Sequence, residues 1–411
     1  MRVNPIRPIP TLILAGLVAT AVWAAPGPTE KSVDLKAADL LPASIVAGTN
    51  SQVLDPVEND GYLNIYRLNS KNGELKVVST ATLYERAHEF DMMAQMDKLK
   101  GSQEFTKAVG GQVDKVVTGG VNLVTDPIGT TKKAFSGLGR MFQSIGDTLG
   151  GGGSADDNLI GEASGFDKVK RSYAKEFKVD PYSRNPYLQE KLKDISRAGF
   201  LGGTVTSLGL GAVGGAAGMA LNVASTTNSL GEMVTGKSPQ DVAQYNSDTL
   251  HKIGVDDDMA DLFLRNKNYT ATERTAIVMA LDSMPQTKNR QDFIKFAVLT
   301  DNADVASFRR RQADLYAAYD QKQAHIQEFR FLDPFAAALL EDGSVLLMAP
   351  VDHLLWTGEI ATYVARVNQQ LSAQATPRKM LWLSGSVSPL ALQSLKQSGW
   401  QVQPKAADRL K

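Results

Sequence analysis

Two short apolar runs near the carboxyl end are each followed by side chains that can do chemistry. Asp352 and His353 come after the first run, and Ser384 and Ser386 after the second. If both runs are parallel strands, all four residues lie just beyond the carboxyl ends, where open α/β sheets hold their ligands. Serine as nucleophile, histidine as base and aspartate as orienting acid would suit a hydrolase. That chemistry needs a frame, and no GxSxG glycine pair holds either serine on a strained elbow. Ser386 to Ser388 reads more simply as a strand end and a helix cap, with Pro389 at the first helical position. The four residues are candidates for ligand contact, and no catalytic residue is assigned.

The remaining chemistry is sparser. His88, His251 and His325 join His353 to make four histidines, and none is paired at metal spacing. His88-Glu89 lacks the second histidine of a zinc-protease helix. Asp256, Asp257 and Asp258 precede a helical pattern, so their carboxylates meet the positive end of a helix rather than a cation. Asp180, Asn185 and Glu190 miss the spacing and the central glycine of a calcium loop. Gly209, Gly211 and Gly214 fit GxGxxG, but a run so rich in glycine produces that match by chance. The 411 residues include no cysteine, which excludes thiol catalysis, thiolate metal sites and disulfides. No cofactor and no metal are expected. Lys plus Arg and Asp plus Glu both number 44, so no cationic excess argues for nucleic acid.

The amino terminus carries the three parts of a cleavable secretory signal peptide over residues 1–24. Arg2 and Arg7 make a positive start, and residues 11–21 are an uncharged apolar stretch. That stretch is too short to span a bilayer, which takes about 20 residues. Val22 and Ala24 then place compact side chains at the −3 and −1 positions. The expected location is periplasmic or outer-membrane-associated, with inner-membrane retention second. An exported chain without cysteine has to fold by its core alone.

One segment stands out. Residues 198–231 contain 34 consecutive positions without a charge. Within it Gly199, Gly203, Ser207, Gly211 and Gly215 recur every four residues, so on a helix they fall on one face. Such a ridge lets another helix backbone come very close, which is how helices associate in lipid. In water each interior glycine destabilises a helix by about 1 kcal/mol relative to alanine. The repeat is favourable only where close packing offsets that. Two readings stay open: a glycine-zipper helix that enters a membrane or self-associates, and a buried helical hairpin. Residues 131–149 form a second candidate. Phe135, Phe142, Ile145 and Leu149 oppose Lys132, Lys133 and Arg140, which fits a bilayer surface or an ordinary core-facing helix.

The elements around these features read as an α+β, predominantly helical chain. Residues 25–60 show no sustained period and are expected to be a flexible lead-in. Residues 61–150 open with a β-hairpin turning at Asn72-Gly73 and continue as glycine-rich amphipathic helices, closed by a four-glycine linker. Residues 154–328 read as a helical domain, with Ser238-Pro239 and a Thr270/Glu273 capping box as helix starts. Residues 329–411 read as a small α/β unit of βαβαβ type, with strands over 329–335, 345–348, 379–384 and 400–402.

Together these features predict an exported, non-enzymatic cell-envelope protein that works by helix association. Its partners would be a second copy, another envelope protein or a membrane, and not nucleic acid. The alternatives are an exported hydrolase using the 352–386 corner, or a secreted effector whose glycine-rich segment inserts into a target membrane.

Overall fold

The computed structural model describes residues 28–32, 34–100, 165–202, 227–333, 335–372 and 378–410. These form thirteen α-helices, an antiparallel sheet in the N-terminal part and a mixed sheet in the C-terminal part. The stretch 131–149, and all of the zipper face except Gly199, lie outside the described residues.

The flexible lead-in expected over 25–60 is a correction. Two short helices, α1 (Ala37–Leu40) and α2 (Ala43–Val46), lead into a nine-residue strand, β1 (Ser51–Asn59). Ser51, Val53, Val57 and Asn59 are buried while Gln52, Asp55 and Glu58 are exposed. A register shift between Leu54 and Glu58 breaks the alternation, and such a bulge hides the period of two in the sequence. The hairpin follows as read: β2 (Asn64–Ser70) pairs antiparallel with β3 (Gly73–Val78). Gly73 sits at φ +134°, a region closed to most side chains.

Three helices cover this sheet: α3 (Thr80–Lys100), α4 (Gly165–Glu176) and α5 (Pro186–Gly202). Phe90, Met93 and Met96 of α3 share one core with Tyr66 and Leu68 of β2, Tyr173 of α4 and Leu188, Leu192 and Ile195 of α5. Side-chain pairs fix the helix directions. Asp97 of α3 meets Lys191 of α5 at 2.6 Å, and Lys100 lies 3.9 Å from Asp194. The α3 and α5 axes therefore run the same way. The Lys170 ammonium of α4 donates to Gln189 of α5 at 2.7 Å. Because α4 runs back against α5, Gly165 lies about level with Asp194 at the 1.5 Å rise of a helix. Lys100, Gly165 and Gly202 thus gather towards one end of the three-helix layer.

Six further helices follow: α6 (Thr227–Gly236), α7 (Pro239–Lys252), α8 (Asp257–Leu264), α9 (Ala271–Asp282), α10 (Gln291–Val298) and α11 (Ala303–Lys322). Their starts are written locally. Ser238 and Asp241 form a capping box at α7, Thr270 and Glu273 form another at α9, and the Asp256 side chain caps α8. The three consecutive aspartates thus serve the helix start, where orphan N–H groups need acceptors.

The chain ends in a five-stranded sheet ordered β10-β8-β6-β5-β4, built from β4 (Ile326–Leu332), β5 (Phe335–Leu340), β6 (Val345–Ala349), β8 (Lys379–Leu383) and β10 (Trp400–Gln403). Strands β4, β5 and β6 pair antiparallel, and β6, β8 and β10 pair parallel. Helix α12 (Gly358–Ser372) joins β6 to β8, and α13 (Pro389–Gln397) joins β8 to β10. A two-stranded parallel ladder, β7 (His353–Leu354) with β9 (Ser386–Val387), sits beyond the strand ends. The expected strand over 329–335 is corrected to two strands, and β4 begins at Ile326, inside the expected helical domain. Leu346, Met348, Met380 and Trp382 face α10 and α11, while Val345, Leu347 and Leu383 face α12 and α13. With both faces covered, a strand such as β5 reads as a continuous apolar run with no alternation. The helical and α/β regions therefore share a core.

Candidate functional site

The sheet brings Asp352, His353, Ser384 and Ser386 into one corner, through the pairing of His353 with Ser386 in the β7–β9 ladder. Their roles separate at once. The Asp352 carboxylate is turned away from the histidine and accepts the N–H groups of Asn64 at 2.9 Å and Thr80 at 3.0 Å. Thr80 is the first residue of α3, so this half-buried carboxylate caps a helix made 272 positions earlier. Burial lifts its carboxyl above the ordinary range, although the Asn64 and Thr80 groups pull it down. His353 Nδ1 lies 2.7 Å from the Ser386 hydroxyl, and Ser384 donates to the Val351 carbonyl at 2.7 Å. Burial holds the His353 imidazole below its usual value, which leaves it neutral near pH 7. The corner thus contains a serine–histidine contact, with Asp352 engaged elsewhere.

The corner is also a joint between the N- and C-terminal sheets. The β1–β2 loop reaches across, where the Tyr62 carbonyl accepts the Asp352 N–H at 2.9 Å and the Gly61 carbonyl accepts Leu355 N–H at 2.8 Å. Asn59 donates to the His353 carbonyl at 3.2 Å. Gly385 sits against the same strand end. A Cβ there would lie 2.1 Å from the Asp352 carbonyl oxygen and 2.5 Å from that of Val351. Both are backbone atoms and cannot swing aside. Gly385→Ala is expected to destabilise the protein by about 1–3 kcal/mol, measured by urea unfolding.

A second cluster lies where α3 meets α9, α11 and the 178–185 loop. The Arg311 guanidinium donates to Ser79, Thr82 and Glu85 at 3.0–3.2 Å, and Arg310 pairs with Asp314 at 3.1 Å. Arg86 binds Glu89, and Ser183 and Asn185 also donate to Glu89, at 2.6 and 3.0 Å. Arg184 pairs with Glu273 at 2.5 Å, which Ser307 also approaches at 2.9 Å. Burial would raise the Glu85 carboxyl, but Arg311, Arg310 and Arg86 together hold it below the ordinary range. Glu85 still keeps 34% of its side-chain surface open, so the cluster lines a cleft rather than a sealed core.

Asp180 is the exception among these acids. Burial pushes its carboxyl to about 6, with Glu89 and Glu273 adding to the rise, against hydrogen bonds from Thr272 and Tyr182. A folded value above the unfolded one means the native state holds this proton more tightly. Between about pH 4 and 6 the unfolded chain ionises first, so stability falls as pH rises through that window. The full penalty, present above pH 6, is on the order of 2–3 kcal/mol. Asp180→Asn keeps the acceptor oxygen for Thr272 and Tyr182. It is expected to be more stable than the parent at pH 7.5 and nearly equal to it at pH 4, in urea titrations at both values.

The charged cleft has one signal in the sequence, Arg309-Arg310-Arg311 on a helix. Residues 100° apart cannot all face solvent on a helix packed on several sides, so some of these cations must find partners within the protein. The other candidates are placed as follows. Asp180 and Asn185 face the cleft, His88 lies 3.1 Å from the Lys178 carbonyl, His251 pairs with Asp257 at 3.1 Å, and His325 lies 3.7 Å from Asp320. Among the described residues no group of three His, Asp or Glu side chains could hold a metal ion, and no helix is long and apolar enough to cross a membrane. Comparison with known proteins returns no matching family model, no similar curated protein and no similar solved structure.

Proposed function

We propose that this is an exported, non-enzymatic protein of the cell envelope that acts by association, through its uncharged glycine-rich segment. The observation that carries the reading is where that segment leaves the fold. Helix α5 runs past the end of α3 by about two turns before Gly202, at the end of the bundle where Lys100 and Gly165 also lie. Gly199 is in this last turn, and Gly203 follows it directly. Helix α6 then packs back on the same unit, with Glu232 on Lys175 of α4 at 2.7 Å. The uncharged segment thus begins directly beyond the last described turn of α5, and in this reading it meets a second copy, an envelope partner or a bilayer. The 1–24 pattern supports export to the periplasm or outer membrane.

The test uses the chain without residues 1–24, mixed with vesicles of phosphatidylethanolamine and phosphatidylglycerol. The parent is expected to self-associate or to float with the vesicles. Gly203→Leu and Gly211→Leu crowd the zipper face and are expected to weaken this by about tenfold or more, equivalent to 1.4 kcal/mol. Equal association and flotation in all three would overturn the reading. The hydrolase alternative rests on the Ser386–His353 contact alone. Ester turnover lost in both Ser386→Ala and His353→Ala would favour it.

A further inference from the structure

Positive side chains collect at the end of the three-helix layer from which α5 protrudes. Lys98, Lys168, Lys193 and Arg197 are exposed there, and Lys100 is half-buried beside Asp194. Lys98 and Lys100 are in the last turn of α3, and Lys168 is in the first turn of α4. Lys193 and Arg197 are four residues apart, on one exposed face of α5. Two carboxylates share this level: Asp194 lies 3.9 Å from Lys100, and Asp167 starts α4. Asp97, a little below, is taken up by Lys71 and Lys191 at 2.7 and 2.6 Å. Glu190 lies about 10 Å further from the tip than Arg197 along the helix rise. This pole is therefore cationic, on a chain whose 44 basic and 44 acidic residues balance.

Helix capping accounts for only part of the pattern. Cations at the carboxyl ends of α3 and α5 meet the negative end of each helix. Lys168 is at an amino end, where the same field favours a carboxylate, so capping does not place it. The five cations have in common the shoulder from which α5 emerges. Beyond it α5 continues over Ala198-Gly-Phe-Leu-Gly202 without a charge, and the sequence stays uncharged to Gly231. An uncharged tip flanked by long basic side chains suits a bilayer surface, where ammonium and guanidinium groups reach lipid phosphates beside an apolar layer. Nucleic acid offers the same phosphates but nothing for the uncharged tip.

We propose that this pole docks on an anionic lipid surface, with Lys98, Lys100, Lys168, Lys193 and Arg197 meeting phosphatidylglycerol head groups. The proposal rests on the reading that the protein works at a membrane, and it names the lipid. Each cation near an anionic surface raises partition by about fivefold. Salt shortens the reach of these charges and weakens the attachment.

The experiment mixes the chain without residues 1–24 with limiting vesicles of phosphatidylcholine alone, or of phosphatidylcholine with phosphatidylglycerol, and measures flotation. The mixed vesicles are expected to bind at least about tenfold more protein, and raising salt from about 0.05 to about 0.5 M to remove most of that preference. Combining Lys98→Gln, Lys168→Gln, Lys193→Gln and Arg197→Gln is expected to weaken binding to the mixed vesicles by about a hundredfold or more. Combining Lys36→Gln, Lys322→Gln, Lys396→Gln and Lys405→Gln removes the same charge from exposed lysines elsewhere and is expected to change it little. Equal binding to the two vesicle types, a preference that survives high salt, or an equal loss in the two combined variants would each overturn the proposal. The lipid and salt comparisons need no variant, so they decide the matter even if the first combination misfolds. Gly203→Leu and Gly211→Leu separate the two ideas. If these chains keep both association and flotation while the lipid preference goes with the four cations, the zipper reading fails and the docking pole stands. If they lose association in a protein indifferent to phosphatidylglycerol, the pole fails and the zipper reading stands.

Discussion

Asp352→Ala is expected to lower stability by about 3–4 kcal/mol, measured by urea unfolding followed through tryptophan fluorescence. The carboxylate accepts backbone N–H groups from Asn64 and Thr80 at 2.9–3.1 Å. Hydrogen bonds to a charged group contribute about 1.5–3 kcal/mol each, and donors left buried add a penalty of their own. Two caps work together at α3. The Ser79 hydroxyl accepts the Thr82 N–H at 3.2 Å, and Asp352 takes the N–H of Thr80, where a negative charge also meets the helix dipole. Alanine removes the second cap and frees the β2 start at once. Asp352→Asn keeps one acceptor oxygen, enough to take both the Asn64 and the Thr80 N–H as Oδ2 does, and turns the other into a donor, so its loss should be smaller, about 1–2 kcal/mol. A loss as large for asparagine as for alanine would show that both carboxylate oxygens are needed as acceptors.

Arg309→Met is expected to cost about 3–5 kcal/mol in the same measurement. The Arg309 side chain is fully buried. Its guanidinium donates to the Phe296 and Ala297 carbonyls at the end of α10 and to the Thr300 hydroxyl at 2.7 Å, and it stacks 4.1 Å from the Phe296 ring. Those carbonyls are the negative end of a helix, and the Asp301 carboxylate also favours the charge. Burial lowers the guanidinium from its usual value, opposed by Tyr269, yet an arginine stays charged there. Methionine fills much of the volume but leaves the carbonyls without donors, and removing one side of a buried charged contact is strongly destabilising. Arg309→Lys should recover little, because a point charge cannot reach three acceptors and stack at once.

What the sequence made legible was local. Asn72-Gly73 turned a hairpin, Ser238, Thr270 and Ser388 started helices, and 379–384 read as a strand because a buried parallel strand is a short apolar run. β1 was lost to the bulge beside Asp55-Pro56, and β5 to a Phe-Ala-Ala-Ala-Leu-Leu run with no period. The corner at 352–386 was legible as a place, since strand ends can be counted. The role of Asp352 was not, because its partners lie 272 and 288 positions away. The charged cleft was hidden for the same reason. Arg311 and Glu85 are 226 positions apart, and no spacing rule spans that distance.

The Asp352 bond also sets a schedule. Translation makes α3 first and delivers its cap 272 residues later, an interval of roughly 14–54 s at 5–20 residues per second. For that time the N-terminal sheet has no Asp352, no Leu355 N–H on the Gly61 carbonyl and no joint to close against. The first half of the chain is synthesised early and completed last, and the wait keeps it open to whatever handles the nascent protein.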